Sequence, residues 1–182
     1  MKISLGSGGV RLPGWIHVDF DRQWQPDVCA DLSRPLPFAD ACAGFLQSED
    51  FIGQLTLEQA MGFFAECHRM LRPGGALRLL TPDLAVLLHM YVRAELRLRQ
   101  LWDESVGIPL LTGTLGELVN KAMTFGGHRF FYDEPTLRAV LEPAGFQVHR
   151  VQYNQSAFAE LRGLDQRRPG EAISMYFDCV RG

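Results

Sequence analysis

A chain of 182 residues, 47% of them hydrophobic, can bury the core of one domain without a metal or disulfide staple. Its 21 acidic and 18 basic side chains give a net charge of -3 with no block of about five or six like charges, which argues against a nucleic-acid partner held through phosphates. No apolar run approaches the roughly 20 residues of a membrane span and "MKISLGSGG" is too short for a signal peptide, so a soluble, cytoplasmic protein with no membrane partner is expected.

Residues 2–5 and 15–19 read as short strands, each built from apolar or β-branched residues and closed by glycine or acid. Between them, residues 6–14 fall short of the ~10 to 12 that a parallel crossover with its helix takes, so at most a single helical turn is predicted there. A third strand is expected within 26–32, a turn-rich link in "RPLPFADA" with its two prolines, and a fourth strand over 44–48.

"TLEQAMGFFAECHRMLRPGG" is the clearest helix. Thr56 and Gln59 form a capping box, Leu57, Ala60, Met61, Phe64, Cys67 and Leu71 recur at helical spacing, and "RPGG" stops it. "ALRLLTP" follows as a buried strand, and a long arginine-rich helix is predicted from Leu84 to about Ser105, with Glu95 and Arg99 spaced to pair. "GTLGELVNKAMTF" and "DEPTLRAVLEPAGF" suggest two more helices, the second starting near Asp133 and ending at Gly145. Residues 146–153 and 173–180 are the last strands, joined by a polar loop containing "QRRPGE". The alternation predicts a single domain over 1–182: a Rossmann-like, open, mostly parallel α/β sheet with a C-terminal antiparallel strand pair and a shortened first crossover.

In such a sheet ligands bind outside the carboxyl ends of the strands. Those ends carry Gly6, Ser7, Gly8, Asp19, Asp31, Ser48, Glu49, Asp50 and Thr81 to Asp83. A glycine loop after the first strand lets backbone amides approach a ligand, and an acid ending the second can accept hydrogen bonds from a ribose diol. "GSGG" is neither a dinucleotide fingerprint, since Arg11 stands where the third glycine would be, nor a P-loop. A nicotinamide-dependent enzyme is disfavoured on that ground. The cysteines, Cys29, Cys42, Cys67 and Cys179, are widely spaced and read as reduced thiols, and no histidine has a partner at metal-ligand spacing, so no metal site is expected.

Through "ISLGSGG", "PGWIHVD", "DLSRPLPFAD", "FFAECHRMLRPGGALRLLTPDL", "GGHRFFYDEPTLRAVLEPAGF" and "SAFAELRGLDQR" the chain resembles the class I S-adenosylmethionine-dependent methyltransferases, in particular a short predicted group of them. The resemblance implies S-adenosylmethionine as cofactor, with Gly6, Ser7 and Gly8 against its methionyl part, Asp19 on the ribose hydroxyls, and Asp31 with Leu32 at the adenine. Ser48 joins these by its place at the end of the fourth strand, and Asp50 and His128 are the catalytic candidates. Ala43 and Gly44 stand where the family usually shows Phe-Asp, and Asp50, Gly53 and Gln54 where it usually shows a histidine followed by Glu-His, leaving Glu49 and Asp50 as the carboxylates there able to take a proton.

"GGHRFFYD" brings His128, Arg129, Tyr132 and Asp133 together in the part expected to face the acceptor. Asp133 reads first as a helix N-cap, and Asn120 also matches the family pattern. The implied activity is methyl transfer to a small-molecule or glycan-type acceptor. A catalytically inactive binding or assembly module is the alternative.

Overall fold

The computed structural model describes residues 1–182. Seven strands, β1 (Lys2–Leu5), β2 (Ile16–Asp19), β3 (Val28–Cys29), β4 (Ala43–Glu49), β5 (Leu71–Pro82), β6 (Phe146–Val151) and β7 (Ser174–Arg181), form one sheet in the order β3-β2-β1-β4-β5-β7-β6. β1 to β5 pair in parallel, and β7 lies antiparallel between β5 and β6. The sheet is therefore the expected mostly parallel α/β sheet. Its C-terminal pair closes by inserting the last strand inside the sheet rather than adding it at the edge.

One face carries the apolar alternation, with Ile3, Leu5, Val18, Leu46, Leu77, Leu79, Phe177 and Cys179 buried beneath α1 (Leu57–Met70) and α5 (Glu134–Leu141). The capping box on α1 is present as read, Thr56 accepting from the Gln59 amide while the Gln59 side chain accepts from the Thr56 amide. Its buried stripe runs Ala60, Phe63, Phe64, Cys67 and Met70, so Met61, expected inside, faces solvent.

The opposite face has no α-helix. Leu12 and Trp15 from the first crossover, and Phe158, Leu161 and Leu164 from the β6–β7 connection, cover it instead. The crossover over 6–14 holds turns only, as its length requires. The sheet residues beneath are largely polar. Ser4 Oγ donates to Gln47 Oε1 at 2.8 Å, and fully buried Arg78 reaches Asp165 and Asp178, each at 2.9 Å, and the carbonyls of Gln152 and Gln155. Through these bonds Arg78 pins the β6–β7 loop to the sheet.

Three local expectations change. β3 shrinks from the expected 26–32 to two residues, because Pro26 offers no N–H and Asp27 uses its carboxylate to take the His17 amide and ring at 2.7 and 2.9 Å. The long helix over 84–105 is two, α2 (Leu84–Val92) and α3 (Leu96–Ser105), broken where Ala94 takes a left-handed φ of 48° and Glu95 becomes the N-cap. The break folds α3 back so that α2, α3 and α4 (Leu115–Thr124) bury Leu87, Met90, Leu98, Trp102 and Leu118 together, and Arg99 pairs with Asp103 instead of Glu95. α5 ends at Leu141, short of the glycine expected to close it. No helix is long and apolar enough to cross a membrane.

Candidate functional site

The carboxyl ends of β1, β2 and β4 open into a cavity of about 830 Å3. The first crossover forms its floor. Gly6 and Ser7 both donate to the Val18 carbonyl, at 2.9 and 3.3 Å, and Gly6 and Gly8 take φ of 68° and 50°. Glycine is required at the first of these twice over, since a Cβ on Gly6 would lie 2.6 Å from the Phe51 ring. Asp19 fastens the loop by accepting from Gly8 N at 2.7 Å and from Asp21 N at 2.9 Å. One bond per oxygen leaves the carboxylate free lone pairs for a ligand.

Asp31 and buried Leu32 line the far end. The Ser33 hydroxyl and amide, at 2.7 and 2.9 Å, hold the Asp31 carboxyl below its usual range, with Arg34 adding to them. Phe20 and Trp24, 74% and 46% exposed, offer aromatic surface beside Asp19. Five carboxylates, Asp19, Asp21, Asp31, Glu49 and Asp50, against Arg129 and Arg167 make the lining acidic.

Glu49 and Asp50 are not simple solvated loop acids. Glu49 accepts from the Gln166 and Arg167 amides at 3.1 and 2.9 Å, yet its pKa is pushed up to about 7, first by burial and further by the charges of Asp50 and Asp165. Asp50, with a left-handed φ of 53°, pairs through Oδ2 with Arg167 Nε at 2.6 Å, while its Oδ1 is buried without a hydrogen-bond partner.

A second cavity of about 330 Å3 adjoins the first, with Asp50, Gln54 and Arg167 lining both. α2, α3 and α4 supply its apolar walls and His128 lies at its polar end. The segment carrying His128 is held at two points: Arg129 N and Phe130 N donate to the Gly53 carbonyl at 2.7 and 3.2 Å, and Tyr132 bridges Asp83 at the end of β5. A Cβ on Gly53 would lie 2.6 Å from the His128 ring, so glycine there permits the approach. Burial lowers the His128 pKa below its ordinary value, which favours the neutral ring near pH 7, and its Nδ1 is buried and unpartnered.

Of the residues singled out in the sequence, Gly6, Ser7, Gly8, Asp19, Asp31 and Leu32 line the large cavity, His128 the small one, and Asp50 both. Ser48 lines neither. The alternation along β4 turns Gln47 and Glu49 to the cavity and Ser48 to the opposite face, where it is fully buried. Asn120 is exposed on α4, bonded to the Gly116 carbonyl, and Asp133 caps α5 by accepting from Thr136 N at 2.9 Å. Gln54, which stands at a position where the family pattern differs, lines both cavities, whereas Phe20, Trp24 and Arg167 carry no mark in the sequence. Arg167 in particular carries no local signal, since its site partners lie more than a hundred positions earlier in the chain.

No family model matches the chain, and no curated protein matches it. Solved structures share its fold. A SAM-dependent methyltransferase from Mesorhizobium loti superposes with a TM-score of 0.58 at 16% identity, covering 99% of this chain and 90% of that one. One from Methanosarcina mazei gives 0.58 at 14% identity over 99% and 91%, and one from Thermotoga maritima 0.57 at 15% over 100% and 82%. The chain thus has the class I fold of S-adenosylmethionine (SAM)-dependent methyltransferases.

Proposed function

We propose that this chain, built on the methyltransferase fold, is a SAM-dependent methyltransferase whose larger cavity takes the methyl donor and whose smaller one takes a small-molecule acceptor. The observation that carries the reading is the juncture of the two cavities at Asp50, Gln54 and Arg167. The residues present suit the donor: Gly8 leaves open space above the loop, Asp19 keeps lone pairs for a diol, Phe20 and Trp24 offer faces for a base, and the acidic lining matches a sulfonium and an amine. When bound, SAM supplies a methyl carbon open to direct displacement by a nucleophile. The chain's own task is alignment of the acceptor and removal of its proton, for which Asp50 Oδ1 and His128 Nδ1 are the unpartnered atoms.

A catalytically inactive binding module is the second reading, favoured by the Asp50–Arg167 ion pair, which occupies one oxygen of the candidate base. Thermal unfolding with and without S-adenosylhomocysteine tests the common premise. Ligand at a hundred times its dissociation constant stabilises the fold by ~2.7 kcal/mol, and no shift at millimolar ligand would sink the proposal. Mass-spectrometric detection of methylated product then separates enzyme from module.

A further inference from the structure

The smaller cavity differs in kind from the larger. Leu87, Leu98, Leu101, Trp102, Leu118 and Phe131 form its walls. Its aromatic surface is set in place: Trp102 Nε1 donates to the Ile108 carbonyl at 2.7 Å, and the Phe131 ring meets the His128 ring edge to face with centroids 5.0 Å apart. Of its polar lining, Asp50, Gln54 and Arg167 are shared with the larger cavity and His128 lies near Asp50, while Ser105, Glu171 and Ser174 belong to the smaller cavity alone. Two atoms of this lining, Asp50 Oδ1 and His128 Nδ1, are buried with no partner, although such atoms are nearly always satisfied in folded proteins. A volume of about 330 Å3 lies at the small end of ligand sites, which are mostly apolar with a few placed polar groups.

Resting on the methyltransferase reading of the site, we propose that the acceptor is a compact, ring-bearing apolar molecule with one protic nitrogen or oxygen, an aromatic alcohol or amine, and not a carbohydrate. Its ring lies among Leu87, Leu98, Trp102 and Phe131, and its single O–H or N–H donates to Asp50 Oδ1, with His128 Nδ1 beside it to hold the same polar end. A sugar presents hydroxyls all round. Against the leucine, tryptophan and phenylalanine walls those hydroxyls lose water and gain no hydrogen bond, whereas a ring with one polar end sets only apolar surface there. Asp50 Oδ1 also gives the acceptor's one proton a place to go, beside the donor's cavity.

Isothermal titration calorimetry on the cofactor-free protein tests this with 1-naphthol, naphthalene and N-acetylglucosamine as probes. The expected result is saturable one-site binding of 1-naphthol, weaker binding of naphthalene, and none of the sugar. Ala122→Phe, which fills the cavity from α4, should weaken 1-naphthol by about tenfold or more. His128→Ala should reduce the preference of 1-naphthol over naphthalene, since Asp50 alone then holds the hydroxyl, and it keeps the test decisive if the filled variant does not fold. Binding of the sugar, absence of 1-naphthol binding, or a preference untouched by His128→Ala would each overturn the inference. The two proposals fail separately: 1-naphthol binding without a thermal shift by S-adenosylhomocysteine removes the methyltransferase reading and leaves the cavity's ligand class standing, and the reverse removes the ligand class alone.

Discussion

Glu49 supplies the sharpest quantitative test, because its burial at the cavity wall raises its pKa from 4.5 to about 7. A carboxyl whose folded-state pKa lies above its unfolded value binds more protons when folded. Between pH 4.5 and 7 its contribution therefore favours the native state less and less as pH rises, and above pH 7 the cost is complete. The interval from 4.5 to about 7 corresponds to roughly 3 kcal/mol. Glu49→Gln keeps an oxygen to accept from Gln166 N and Arg167 N while removing the charge. At pH 8 the variant should be more stable than the wild type by roughly 1 to 3 kcal/mol, and near pH 4.5 the advantage should vanish. Urea unfolding of both proteins at intervals from pH 4.5 to 8 gives the difference directly, free of every other titrating group they share. A stability difference constant across that range would refute the reasoning, since it would mean Glu49 titrates alike in the folded and unfolded chain. The same group couples to ligand binding. A cation in the cavity lowers the Glu49 pKa, so S-adenosylmethionine binding near pH 6.5 should release a proton, read as a dependence of calorimetric heat on buffer ionisation enthalpy.

Asp19→Ala should leave the sheet intact and weaken S-adenosylhomocysteine binding by ~1.5 to 3 kcal/mol, the range of hydrogen bonds to a charged group; unchanged affinity by calorimetry would move the diol contact elsewhere. Asp50→Asn should lower methyl transfer by roughly 10²- to 10⁴-fold with cofactor affinity little changed, and normal turnover would make the residue a bystander. Arg78→Met leaves Asp165 and Asp178 buried without their cation, so denaturant unfolding should show a loss of roughly 3 to 5 kcal/mol. A loss below about 1 kcal/mol, the scale of an exposed pair, would show that the loop holds its place without Arg78.

What the sequence revealed follows from how local each signal is. The strands ending at Leu5 and Asp19, the capping box at Thr56 and the N-cap at Asp133 depend on neighbours within a few positions, and all four are where the pattern put them. The helix over 84–105 looked continuous because every residue in it tolerates a helix. Only the gain from burying Leu98 and Trp102 against Leu87 and Leu118 explains the break at Ala94. Likewise Asp50 was legible as an acid at a strand end, but its ion pair with Arg167 was not, since that contact depends on where the β6–β7 loop returns.

The face of the sheet that lacks α-helices explains why the loop matters to the site. On the helical face apolar packing holds the elements with no need of particular partners. On the other, Ser4, Gln47, Glu49, Arg78 and Asp178 sit under loops, and a polar group in that position is tolerated only if it is paired. Each is: Ser4 with Gln47, Gln47 with Glu49, Arg78 with Asp165 and Asp178, and Ser156 with Asp178 at 2.6 Å. The bonds form two sets, Ser4–Gln47–Glu49 and Arg78 with Asp165 and Asp178, and both reach the β6–β7 loop, where Glu49 and Asp50 hold Gln166 and Arg167. Asp165 is the residue before Gln166, so the anchor that fixes the loop also fixes the wall shared by both cavities. Arg78→Met should therefore do more than destabilise: under conditions where it remains folded, it should loosen Arg167 from Asp50 and weaken ligands of both cavities, although Arg78 lines neither.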